Sequence, residues 1–158
     1  VRRELPGGYE LDDDPGRLDV DAIHRFISEE SYWGRGRSRE RVLATIDGSR
    51  RVMGLYRDGR QVGFARAITD GVTMAYLADV YVLAAHRGRG LGVALVRETI
   101  DGAGAPEAHW ILHTADAEGL YERLGFRTGP LRYPLMERPR GAGPAAGPAD
   151  PPAGGGAQ

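Results

Sequence analysis

Three glycines at alternate positions, Gly88, Gly90 and Gly92, stand with Arg87 and Arg89 in the stretch HRGRGLG, directly after the apolar run YLADVYVL. Glycine gives up more backbone freedom on folding than any other residue, so this spacing predicts a chain that turns tightly or approaches something closely. A strand that stops at Leu83 and a helix that starts near Gly90 would aim the amides of the turn at a helix N-terminus. Unpaired N–H groups and the helix dipole favour an anion there, and phosphate fits. Arg87 and Arg89 would add charge-assisted contacts at the rim, and the missing side chains at 88, 90 and 92 would let the anion reach the backbone. A glycine-rich turn that merely packs closely fits the same spacing. The sequence contains no lysine, which rules out the GxxxxGK[ST] loop, and no acidic residue stands about twenty positions on in a following strand, as a dinucleotide site needs.

Asp79 is the second residue of chemical interest, because it lies inside YLADVYVL, where a strand interior ordinarily rejects aspartate. At a period of two, Leu77, Asp79 and Tyr81 share one face. Partial burial is expected to raise the carboxyl towards a pKa suited to taking a proton from an ammonium through water. A salt-bridged structural aspartate is the alternative. Tyr121, flanked by Leu120 and Leu124 at helical spacing, reads on its own as a core aromatic. His24, His86, His109 and His113 are too scattered for a metal motif and there is no cysteine, so no metal is expected. His113, at the end of an expected strand, could orient a water.

The elements that must position these residues follow from periodicity. Ile23, Phe26 and Ile27 predict a helix over 20–29 with Asp19 as its cap, and Ser38 caps a second helix through Val42, Leu43 and Ile46. SYWGRG, with Ser31, Tyr32 and Trp33, is the loop between them. RRVMGLYR, QVGFARAIT and TMAYLADVYVL read as three strands, and Asp58-Gly59 and Asp70-Gly71 between them are strong hairpin signals. A helix over 91–102, a strand over 109–114 and a helix through ADAEGLYERLGF follow, and the crossover from strand 74–83 to strand 109–114 should be parallel. LRYPLME offers a last strand, which Pro134 makes an edge or an irregular strand. The fold class expected is α/β, or more strictly α+β: a mixed, mainly antiparallel central sheet flanked by helices.

The length of 158 residues admits one ordinary domain, placed here at 5–138. Residues 139–158, almost wholly glycine, alanine and proline, cannot repay their ordering entropy and are expected to be a disordered tail. With 22 acidic against 21 basic residues the net charge is −1, which supports neither a nucleic acid nor a membrane partner. No apolar run approaches the span of about 20 residues that a membrane helix needs, and the first twenty residues lack a signal-peptide segment, so a cytoplasmic protein is expected.

Two stretches carry a family resemblance. The strand VYVL, then Arg87-Gly88-Arg89-Gly90-Leu91-Gly92 and an apolar helix, resembles the coenzyme-binding motif of the GNAT N-acetyltransferases. WILHTADAEGLYERLGF resembles that family's following strand and the helix ending in YxxxGF, here Tyr121 to Phe126. The likeness extends over roughly residues 9–137. It implies a GNAT-type fold, acetyl-CoA as cosubstrate, and direct transfer of the acetyl group to a primary amine of a small molecule or peptide. By position it implies that Arg87, Gly88, Arg89, Gly90, Leu91, Gly92 and Val93 hold the pyrophosphate and that Val80, Tyr81 and Val82 line the pantetheine arm. Tyr121 would protonate the departing thiolate, and Asp79 is the candidate base. The loop at Ser31, Tyr32 and Trp33 would wall the acceptor entrance, either as an aromatic lid or as simple packing. The resemblance leaves room for a homodimer, and a non-catalytic acyl-CoA-binding sensor or structural domain of the same fold is the alternative function. Two departures are visible: Ala84 stands where a proline is often found, and the asparagine often seen near the end of the strand at 109–114 is absent, with His113 and Thr114 in its neighbourhood.

Overall fold

The Asp58-Gly59 turn carries two successive residues at positive φ, 49° and 75°, the geometry that matches a tight turn to the twist of its flanking strands. It joins β3 (Arg51–Arg57) to β4 (Arg60–Thr69), and the turn at Asp70-Gly71 joins β4 to β5 (Met74–Val82). In the second turn the Asp70 carboxylate accepts from the amides of Val72 and Thr73 at 2.9 and 2.8 Å, which closes the loop locally. The expected antiparallel meander is therefore present. The computed structural model describes residues 1–129 and 134–136, and the chain divides into two compact units, Val1–Arg127 and Thr128–Gln158. The elements described here belong to the first unit. The tail expected at 139–158 lies outside the described residues, as does most of the strand expected at 131–137.

Two further strands precede the meander: β1 (Arg2–Leu5) and β2 (Tyr9–Asp12), joined through Gly7 and Gly8 at φ 80° and 74°. Between β2 and β3 lie α1 (Val20–Arg25) and α2 (Arg39–Asp47). Their expected caps are in place, with Asp19 accepting from the Ala22 amide at 2.9 Å and Ser38 from the Arg41 amide at 3.3 Å. The first helix departs from the expected 20–29. After Arg25 it widens into a π-helical turn, Phe26–Glu30, in which the Ser31 amide bonds the Phe26 carbonyl at 3.0 Å.

α3 (Leu91–Asp101) crosses from β5 to a short β6 (His109–Ile111), and α4 (Glu118–Glu122) follows. The six strands among the described residues lie in sequence order, antiparallel except for the β5–β6 pair. One face packs on α3 through Met53, Leu55, Ala65, Leu91 and Leu95, and the other on α1 and α2 through Ile23, Ile27, Val42 and Phe64.

The expected common face of Leu77, Asp79 and Tyr81 is not what forms. Phe64 pairs with Tyr81 and Arg66 with Ala78, so β5 carries an extra residue opposite Ala65. Asp79, at φ 50°, sits at this bulge. Leu77 then packs with Val96 and Tyr121, whereas Tyr81 packs on the opposite face with Phe26 and Phe64. The strand at 109–114 is likewise shorter than expected. Its pairing with β5 stops at Tyr76–Ile111, and among the described residues the outer edge of β5 from Leu77 onward has no strand partner.

Candidate active site

The β5–α3 connection is a 3₁₀ turn, Ala84–His86, followed by Gly88 at φ 74° and Gly90 at φ 76°. Gly90 is the left-handed residue that precedes the first turn of α3, whose first amides have no partner within the helix. A Cβ added at Gly88 or Gly90 would meet nothing within 4 Å, so the backbone on that side is open. Gly92 also lines the cleft, and its missing side chain has a second use. A Cβ there would lie 2.6 Å from Leu120 Cδ1, so its missing side chain lets α4 close onto α3. Arg87 Nε donates to the Val82 carbonyl at 2.8 Å and ties the loop to the end of β5. His86 Nδ1 shares a hydrogen bond of 2.9 Å with the Tyr9 hydroxyl, which anchors the same loop to β2. Arg89 is exposed and takes no part in the wall described below.

Asp79 is buried, and both of its carboxylate oxygens are engaged. Oδ2 accepts from Arg66 Nε at 2.7 Å and from Arg37 Nη1 at 2.8 Å, and Oδ1 accepts from Trp33 Nε1 at 3.0 Å. Burial alone would push its carboxyl up, but the charges and hydrogen bonds of Arg66 and Arg37 outweigh burial and hold it below the usual carboxylate range. The expectation of a raised pKa is thus corrected, and the reason is two guanidiniums distant in sequence. The geometry is that of the salt-bridged alternative, with the carboxylate fixing Trp33 and Arg37 of the α1–α2 loop to the bulge of β5.

Tyr121, in α4, is 8% exposed. Burial first, then the proximity of Tyr32, Asp116 and Tyr76, pushes its hydroxyl up to about 12. It therefore keeps its proton throughout the neutral range. It packs edge-on against Phe126, the last residue of the YxxxGF stretch, with ring centroids 5.9 Å apart.

The three loop residues take different parts. Ser31 is buried, donates to the Ile27 carbonyl at 2.6 Å and accepts from the Gly34 amide at 3.1 Å, so its hydroxyl ends the preceding helix. Tyr32 accepts from the Ala115 amide at 2.7 Å, which links the loop to the segment before α4. Trp33 stands edge-on to Tyr32 with centroids 5.0 Å apart. His113 bonds the Tyr76 hydroxyl through Nδ1 at 2.9 Å.

A single cleft of about 780 Å³ brings most of these groups together. Its wall includes Val80, Tyr81 and Val82 of β5, Arg87, Gly88, Gly90, Leu91, Gly92 and Val93 of the glycine turn, Ser31, Tyr32 and Trp33, and Tyr121. Asp79 and Arg89 are not in that wall. Glu30 and Phe26 are in it and were not found from sequence. Only the π-helical turn brings them there, and an apolar pattern compatible with an ordinary helix gives no sign of it. In chemical terms the cleft offers an open amide turn at a helix N-terminus, a strand edge without a partner among the described residues that could take an extended amide-bearing chain, and a buried phenol.

Residues 48–128 match the family model of the acetyltransferase (GNAT) domain. A protein of Gibberella zeae named as an acetyltransferase is 34% identical in an alignment of 117 positions that covers 61% of this chain and 66% of that protein. This chain thus spans just under two thirds of that relative. Among solved structures, a protein of Xanthomonas campestris pv. campestris described as an acetyltransferase of the GNAT family is 40% identical. It superposes with a TM-score of 0.77 over 85% of this chain and 94% of its own. A structure from Deinococcus radiodurans R1, 22% identical with a TM-score of 0.68 over 89% and 94% of the two chains, shares the fold.

Proposed function

The chain belongs to the GNAT acetyltransferase family, and from that premise we propose that it transfers the acetyl group of acetyl-CoA directly to a primary amine of a small molecule or peptide. The observation that carries this reading is the convergence of the open Gly88–Gly90 turn, the unpaired edge of β5 and the Tyr121 phenol on one cleft. The residues present fit the cosubstrate. The amides at the start of α3 suit its pyrophosphate, and the absence of any atom within 4 Å of a Cβ at Gly88 or Gly90 leaves room for phosphate oxygens to approach. The edge of β5 at Val80 and Val82 offers backbone groups to the amides of the pantetheine arm. Bound there, acetyl-CoA supplies a thioester carbonyl open to an uncharged amine.

Tyr121 holds a proton at neutral pH and delivers it to the sulfur that leaves. A thiol in water titrates near 8.5, so donation from a phenol at about 12 is uphill there; the burial that raises the phenol destabilises the thiolate as well and narrows the gap. Tyr32 and Trp33 exclude water from the cleft, and Asp79 acts as a positioning residue by fixing Trp33 to β5. The test is calorimetric titration with acetyl-CoA together with thiol release in the presence of a panel of primary amines. Tight binding with no release for any amine would favour the non-catalytic acyl-CoA sensor instead. Failure to bind acetyl-CoA would overturn both.

A further inference from the structure

A second cleft, of about 450 Å³, lies against the first. The two share Phe26, Glu30 and Tyr81 as a common wall. Phe26 and Tyr81 stack with ring centroids 3.9 Å apart and planes within 12°, a rigid partition that brings the two spaces together at Glu30. We infer that this second cleft is the acceptor subsite and that it takes primary amines which also carry an anionic group, a carboxylate or a phosphate.

The argument rests on which charges in the wall are already spent. Arg17 is bonded to Glu10 and Asp12, and Asp19 caps α1 through the Ala22 amide. Arg25 and Arg60 are exposed in this wall, and among the described residues neither has a carboxylate partner. Glu30, also exposed, has no cationic partner among the described residues. The wall further contains Tyr56, whose hydroxyl is buried without a hydrogen-bond partner. Two uncommitted guanidiniums in one cleft attract an anion and hold a carboxylate or phosphate in bidentate fashion. The uncommitted carboxylate stands at the wall shared with the acetyl-CoA cleft, where it draws the ammonium end of the same molecule towards the thioester. A neutral amine would leave both arginines without use.

This inference rests on the acetyl-transfer reading, and the experiment separates the two. With acetyl-CoA saturating, thiol release by the full chain is followed for two matched pairs: β-alanine against n-propylamine, and phosphoethanolamine against ethanolamine. The acidic member should show a kcat/KM at least about tenfold above its neutral partner, the size expected for charge-assisted hydrogen bonds to the anion. The pair with the larger ratio identifies the anion. Arg60→Gln and Arg25→Gln should each reduce that ratio several-fold while leaving acetyl-CoA affinity unchanged. Glu30→Gln should raise KM for both members of each pair alike. Equal kcat/KM within both pairs, or ratios that survive the Arg25→Gln/Arg60→Gln double variant, would overturn the inference while acetyl transfer stands. If no amine turns over, calorimetry on the CoA-saturated protein decides: absence of binding by both β-alanine and phosphoethanolamine overturns it, and binding lost in the double variant supports it. Failure to bind acetyl-CoA removes the parent reading and this inference with it.

Discussion

Asp79→Asn separates a general base from a buried positioning carboxylate, because the two roles predict opposite patterns of stability and rate. Asparagine is among the few residues that tolerate a left-handed backbone, so the φ of 50° adds little strain of its own and the substitution reports mainly on charge. The Asp79 side chain is 2% exposed and its partner Arg66 is 9% exposed, so the neutral amide leaves a buried guanidinium without a counter-charge. Removing one member of such a pair typically costs about 3–5 kcal/mol. Arg37 is 16% exposed and can turn part of its charge to water, which favours the lower end. At roughly 4 °C per kcal/mol for a unit of this size, Tm should fall by about 12 °C. The sign of the pH dependence follows from the carboxyl being held below its usual range in the folded state. Its contribution is complete above the unfolded value near 3.9 and is lost as pH falls through the lower folded value, so the Tm difference between wild type and variant should be constant at neutral pH and shrink in acid. The assay is thermal unfolding from acid to neutral pH, with Trp33 fluorescence and a pH–rate profile taken alongside. A weaker hold on Trp33, whose indole bonds this side chain, should raise the KM for the amine. A variant with Tm within about 2 °C of wild type and a rate that recovers as pH rises would refute the positioning role and restore Asp79 as a base.

Tyr121→Phe should leave acetyl-CoA affinity close to wild type and lower turnover by about 10²- to 10⁴-fold under conditions where chemistry limits the rate, since the proton is needed only as the thiolate departs. Calorimetry and single-turnover kinetics check this; unchanged single-turnover rates would return Tyr121 to a packing role. In the glycine turn, Gly90→Val should weaken acetyl-CoA binding far more than Arg89→Ala, because the first forces a branched side chain to φ 76° over the amides and the second changes an exposed residue outside the cleft wall. Gly92→Leu should act mainly on stability, lowering Tm through its collision with Leu120, and equal losses of affinity at all three positions would sink the backbone-cradle account.

How far the sequence could be read depended on whether the cause of a feature was local. Asp58-Gly59, the caps Asp19 and Ser38, and the glycine turn after Leu83 were legible because each is decided by the conformational preferences of one or two residues. The hairpin between β1 and β2 has the same local cause in Gly7 and Gly8. The bulge in β5 was not legible in this way. Regular alternation through Asp79 places Tyr81 on the face of Leu77, whereas one inserted residue carries it to the opposite face. The partners that make Asp79 tolerable, Arg37 and Arg66, lie 42 and 13 residues away, so no window of sequence contains the charge balance that sets its pKa.

The aspartate was nonetheless the mark of the bulge. A carboxylate in an apolar strand of L-residues is excluded at a regular position unless it is paired, and a left-handed residue both breaks the alternation and frees the side chain to leave the strand's own face. Asp79 meets both conditions at once: it takes the bulge position, and it reaches two arginines and an indole on the α1–α2 side. The bulge that accommodates the charge also turns Tyr81 onto Phe26, the stacked pair that forms the partition between the two clefts. One polar residue in an apolar run thus couples the strand edge that suits the cosubstrate arm to the wall against which an acceptor amine would stand. Substitutions at Asp79 should therefore disturb amine KM and thermal stability together while leaving the Gly88–Gly90 turn, and the acetyl-CoA affinity that depends on it, closer to wild type.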